Sequence, residues 1–184
     1  MSRNDDRFHV ITGGPGSGKS TLIDALRTAG FRAATEVGRE IIKQQVAIAG
    51  RALPWQDPAL FAELMLSWEL RAYDAFSADA GPDPIVFDRG VPDVAGYLRL
   101  VGLPVPDHVQ RAVTQCRYHT RVFICPPWPE IFEQDAERKQ TLEEAVRTYE
   151  SLAKTYAANG YTLVEVPRVS VRERASFVIN DIGM

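Results

Sequence analysis

Val10-Ile11-Thr12-Gly13-Gly14-Pro15-Gly16-Ser17-Gly18-Lys19-Ser20-Thr21 decides the fold. A buried-strand pattern over Phe8–Thr12 runs into a glycine cluster, then a lysine, two hydroxyls and an amphipathic segment. The eight residues from Gly13 to Ser20 satisfy G-x-x-x-x-G-K-[ST] at every position. Glycines let successive backbone N–H groups turn inward toward anionic oxygens. A helix starting at the lysine adds its positive dipole end. The stretch therefore reads as a phosphate cradle. Gly13, Gly14, Pro15, Gly16, Ser17 and Gly18 form the loop, Lys19 reaches the outer phosphates, and Ser20 is a Mg²⁺ ligand with Thr21 beside it.

Outward from the loop, strand and helix signals alternate. The periodicity predicts a helix over Ser20–Ala29 stopped by Gly30, a strand over Phe31–Glu36, and a helix over Gly38–Ala49. Asp57 and Pro58 open a longer helix running to Phe76. Ile85-Val86-Phe87 is an uninterrupted apolar run ending in Asp88, as in a central parallel strand. Helices follow at 91–101 and 106–117, a strand at Arg121–Cys125, a helix at Glu143–Ala158, a strand at Tyr161–Val166 and a helix at Val171–Ile182. This alternation predicts one α/β domain over 1–184, in three α/β/α layers around about five parallel strands. The polar stretch at 134–141 is expected to act as a lid.

Composition is ordinary for a soluble domain, with 45% hydrophobic and 24% charged residues in 184. A formal net charge of -3 argues against a nucleic-acid partner. No apolar run is long enough for a membrane span, and the polar segment Met1–Arg7 does not read as a signal peptide. The expected compartment is the cytoplasm. The oligomeric state is not legible. Cys116 and Cys125 lack zinc or redox spacing and read as buried apolar side chains. His9, His108 and His119 have no nameable partner in the sequence.

The residue after the strand-end acid separates the classes of phosphate-loop protein. Asp88 is placed to serve Mg²⁺. ATPases that do mechanical work usually follow such an Asp with a water-polarising Glu, whereas this chain has Arg89. A GTPase would need Asn-Lys-x-Asp, and none of Asn4, Asn159 and Asn180 begins that motif. An arginine here makes chemical sense beside a second substrate, where it can hold an acceptor hydroxyl or phosphate. Its alternative role is a structural ion pair.

Asp88-Arg89-Gly90-Val91-Pro92-Asp93-Val94-Ala95-Gly96-Tyr97 resembles the Asp-Arg motif of thymidylate and deoxynucleoside kinases, with Asp93 where those enzymes often carry Ser. Thr35-Glu36-Val37-Gly38-Arg39-Glu40 is similar to the matching segment of the nicotinamide riboside kinase domain. Over nearly its whole length the chain resembles compact bacterial AAA-domain P-loop proteins related to these kinases. The resemblance implies a P-loop NTPase fold of nucleoside-kinase type, with ATP and Mg²⁺ as ligands and a small-molecule phosphoryl acceptor as partner. It implies that Arg89 contacts the acceptor and that Glu36 orients or deprotonates the acceptor hydroxyl. It also implies that a basic lid bearing Arg138, with Lys139 and Arg147 as weaker candidates, neutralises charge on the transferred group, and that adenine lies between the lid base and Pro167–Ser170. Trp55 is either a wall of the acceptor pocket or simple packing. Phosphoryl transfer, nucleotide hydrolysis without an acceptor, and nucleotide binding without turnover all remain open at this stage.

Overall fold

The computed structural model describes residues 3–4, 6–78, 81–132 and 141–183. In chain order the strands are β1 (Arg3–Asn4), β2 (Phe8–Gly13), β3 (Arg32–Ala33), β4 (Ile85–Asp88), β5 (Cys116–Arg117), β6 (Arg121–Cys125) and β7 (Thr162–Glu165). The helices are α1 (Lys19–Thr28), α2 (Val37–Ala47), α3 (Pro58–Ser77), α4 (Val91–Leu100), α5 (Asp107–Gln115), α6 (Leu142–Ala158) and α7 (Val171–Ile182). The main sheet has the order β3-β4-β2-β6-β7 and all four of its pairings are parallel.

Side chains alternate across the sheet, as the pleat requires. Phe8, Val10, Ile85 and Phe87 enter a core shared with α2, α3, α4, α5 and α6. Ile11, Val86, Phe123 and Cys125 enter a second core with Leu22, Ile23 and Leu26 of α1 and Val178 of α7. Local signals start the helices. The Asp57 carboxylate accepts from Leu60 N–H at 3.0 Å at the head of α3. Thr141–Glu144 and Ser170–Glu173 form capping boxes on α6 and α7.

Three local expectations change. The predicted strand Phe31–Glu36 shrinks to Arg32–Ala33, with one further bond from Ala34 N–H to Val86 C=O. As an edge strand it has a partner on one side only, and Thr35–Glu36 turn away to start α2. The helix predicted over 38–49 ends at Ala47, and Ala49 takes a left-handed φ of 54° to close it. The helix predicted over 106–117 stops at Gln115, because Cys116–Arg117 pair with Arg3–Asn4 in a separate two-stranded sheet.

Candidate active site

In a parallel sheet every strand delivers its C-terminal residue to the same edge. The loop after β2, the residues after β3 and the end of β4 therefore meet. Gly13, Gly16 and Gly18 have φ of 147°, 70° and 72°. At Gly16 a side chain would also collide with the Phe132 ring, 2.5 Å from an ideal Cβ. The Ser17 hydroxyl donates to Gly14 C=O at 2.8 Å and pins the turn. Lys19 opens α1 and is buried, and its ammonium donates to the Asp88 carboxylate at the end of β4. Ser20 and Thr21 lie exposed in the first turn of α1.

Arg89 follows with a left-handed φ of 73°, held by a bond from its N–H to Ile11 C=O at 3.0 Å. This conformation costs a non-glycine residue roughly 1–2 kcal/mol, and such strain gathers at functional sites. Its guanidinium donates to Asp93 Oδ1 at 3.0 Å. Asp93 is 2% exposed and fully engaged: it also accepts from the Thr12 hydroxyl at 2.5 Å, the Tyr156 hydroxyl at 2.5 Å and Gly90 N–H at 3.1 Å. Asp93 is thus the counter-ion that anchors Arg89. Burial works against the guanidinium charge, while Asp93, Glu36 and Asp88 hold it on.

Glu36 sits at the N-cap of α2, half-buried, and its charge acts on Arg89. Lys19, Asp88, Arg89 and Glu36, distant in sequence, are thereby brought into one electrostatic cluster. Arg138 and Lys139, and all but Thr141 of the lid expected at 134–141, lie outside the described residues. Arg147 is exposed on α6. Trp55 is 64% exposed, so of the two roles open to it simple packing does not hold: its loop leaves the ring on the surface.

Two groups of this site escaped the sequence reading. Glu69 on α3 is 2% exposed and faces Asp93, Asp88, Arg89 and Lys19; burial first, then Asp93 and Asp88, push its carboxyl well above the usual range. Its signal was legible, since Glu69 falls in the apolar repeat Phe61, Met65, Leu66, Tyr73. Arg174 on α7 lies against the phosphate loop, and one apolar-face position beside Ala175 and Val178 was its only trace in the sequence. Beside the loop, an open cavity of about 420 Å³ is lined by Pro127, Pro129, Glu130, Leu142, Val146 and Arg168. It runs between the base of the expected lid and the loop at 167–170.

The arrangement fits a Mg²⁺–polyphosphate. The cradle has glycine where side chains would intrude, one buried ammonium paired with one carboxylate, and the Ser20 hydroxyl next in sequence to that ammonium. Mg²⁺ usually takes only one or two protein ligands beside phosphates and water. Among the described residues no group of three or more His, Cys, Asp or Glu is clustered for a metal, and no helix is long and apolar enough to cross a membrane.

The AAA-domain family matches residues 8–174. No curated protein matches the chain. Among solved structures, thymidylate kinase from Candida albicans superposes with a TM-score of 0.67 at 12% identity, over 96% of this chain and 91% of its own. Deoxyadenosine kinase from M. mycoides superposes with a TM-score of 0.59 at 14% identity, over 95% of this chain and 97% of its own. NadR, solved in complex with NR, superposes with a TM-score of 0.63 at 18% identity, over 97% of this chain but 51% of its own. The chain has the P-loop kinase fold.

Proposed function

We propose that this chain, which belongs to the AAA-domain family, binds MgATP and transfers its γ-phosphoryl group to a small hydroxyl-bearing acceptor of nucleoside type. The observation that carries the reading is the Arg89–Asp93 pair beside Lys19 and Asp88: a half-buried arginine in a left-handed conformation, tied to a buried carboxylate next to the phosphate loop. The superposing thymidylate kinase and deoxyadenosine kinase structures support the same class.

Lys19 exchanges Asp88 for the β- and γ-phosphates, and Asp88 with Ser20 would hold Mg²⁺. The metal would supply charge neutralisation on the phosphate oxygens. Arg89, kept in place by Asp93, holds the acceptor near the γ-phosphate. Glu36 orients the attacking hydroxyl or takes its proton; transfer of this kind depends more on position than on base strength. The cavity beside Arg168 suits the nucleotide's base.

The charge balance narrows the acceptor. Asp93, Glu36 and Asp88 act on Arg89, and Lys19 pairs with Asp88. A phosphate on the acceptor would add about two negative charges near neutral pH to a cluster whose arginine already has three carboxylates acting on it. Among the described residues this charge balance favours an acceptor without a phosphate. The test is ADP release from MgATP with a panel of nucleosides and their monophosphates. Release that rises with one or more nucleosides, and not with monophosphates, is expected. Equal release with and without any acceptor would assign the protein to the ATPases, and no release at all would make it a nucleotide-holding protein.

A further inference from the structure

The Arg174 guanidinium ties α7 to the phosphate loop. It is 3% exposed. One terminal nitrogen donates to Gly18 C=O at 3.1 Å; the other donates to Ser17 C=O at 3.0 Å and to the Cys125 sulfur at 3.2 Å. Its central carbon lies over the Trp128 ring, 5.5 Å from the centroid. An ideal Cβ on Gly18 would stand 2.5 Å from the same guanidinium, so loop and side chain are pressed flush.

We propose that Arg174 is a positioning residue for the nucleotide: it aims the N–H groups of Gly18 and Lys19 into the phosphate cradle. The reason lies in the peptide bond. C=O and N–H of a trans peptide point in opposite directions. The Ser17 carbonyl shares its peptide with Gly18 N–H, and the Gly18 carbonyl shares its own with Lys19 N–H. A donor that holds both carbonyls on the α7 side turns both N–H groups to the other side. The Gly18 carbonyl also accepts from Leu22 N–H at 3.2 Å, so the same peptide is tied into the first turn of α1. A planar fork spans two successive carbonyls with its two terminal nitrogens in fixed geometry, whereas a lysine ammonium is a compact charge on a flexible stem. The Trp128 ring and the Cys125 sulfur hold that fork against the loop. Arg174 touches neither the acceptor side nor Asp88, so its effect falls on nucleotide affinity and not on the acceptor.

This inference rests on nucleotide binding by the loop, and the experiment separates the two. ATP and ADP affinities are measured by calorimetry for the wild type, Arg174→Lys and Arg174→Met, with melting temperatures alongside. Bonds from a charged donor support an expected loss of about tenfold or more for both nucleotides in Arg174→Met, with only partial recovery in Arg174→Lys. In acceptor-dependent turnover the KM for ATP rises while the KM for the acceptor stays at the wild-type value. A variant that melts lower yet binds ATP with wild-type affinity overturns the proposal and leaves Arg174 a packing residue. Full recovery in Arg174→Lys overturns it too, because charge alone would then suffice. If Arg174→Met does not fold, Arg174→Lys against wild type still decides the question. A wild type that binds neither nucleotide refutes the functional reading itself.

Discussion

Arg89 should reverse the usual ranking of alanine and glycine. Its φ of 73° lies in the left-handed region, where a Cβ costs roughly 1–2 kcal/mol. Arg89→Ala removes the guanidinium and keeps the strain; Arg89→Gly removes both. Both variants lose the same 3.0 Å bond to Asp93, so that loss cancels in the comparison. Glycine carries extra unfolded-chain entropy of about 0.4–1 kcal/mol relative to alanine. The difference leaves about 1 kcal/mol in favour of glycine, which for a chain of this length is a melting temperature about 2–4 °C higher than that of Arg89→Ala. Both should fall below wild type, since a charge-assisted bond to a buried carboxylate contributes roughly 1.5–3 kcal/mol and Asp93 keeps only its Thr12, Tyr156 and Gly90 donors. Differential scanning calorimetry gives the order. Neither variant should support acceptor-dependent ADP release, while ATP binding stays near wild type in both. An Arg89→Ala protein as stable as Arg89→Gly, or more stable, would refute the strain. ATP binding lost along with transfer would refute the acceptor-side role.

Lys19→Ala removes the ammonium facing the phosphates and should weaken ATP binding at least about tenfold by calorimetry; unchanged binding would remove the basis of the reading. Glu36→Gln keeps size and an acceptor oxygen but loses the charge, and should slow acceptor-dependent transfer by roughly 10²–10⁴-fold with ATP affinity retained; a wild-type rate would exclude Glu36 from the step. His9, 6% exposed and stacked on His119, is pushed down to about 4 by burial first and by His119 second, against the pull of Asp181 and Asp6. The unfolded chain binds its proton first, so stability is full above pH 6.5 and falls as pH drops toward 4, by up to about 3 kcal/mol. His9→Gln should flatten that part of the profile in denaturant titrations at pH 7 and pH 4.5; an unchanged profile would mean that His9 is solvated or paired as a cation.

What the sequence determined by itself was local or periodic. The phosphate loop is contiguous, and its glycines, lysine and hydroxyl act within one strand–turn–helix unit, so its geometry is written in its spacing. The apolar run Ile85–Phe87 marked a central strand, and a parallel sheet then had to carry Asp88, Arg89 and Glu36 to the edge where the loop lies. Three features needed the tertiary structure. The left-handed turn at Arg89 is imposed by pairing with Ile11 across the sheet, whereas arginine itself prefers negative φ. The shortening of β3 follows from its place at the sheet edge, which strand propensity does not report. Glu69 and Arg174 are charged residues whose roles come from what the fold places over them: carboxylates from α4 and β4 in one case, carbonyls 156 and 157 residues earlier in the other. A charge on an apolar helix face can be seen in a sequence. Its partner cannot, because burial and distance between remote segments are set only when the two cores close on the sheet.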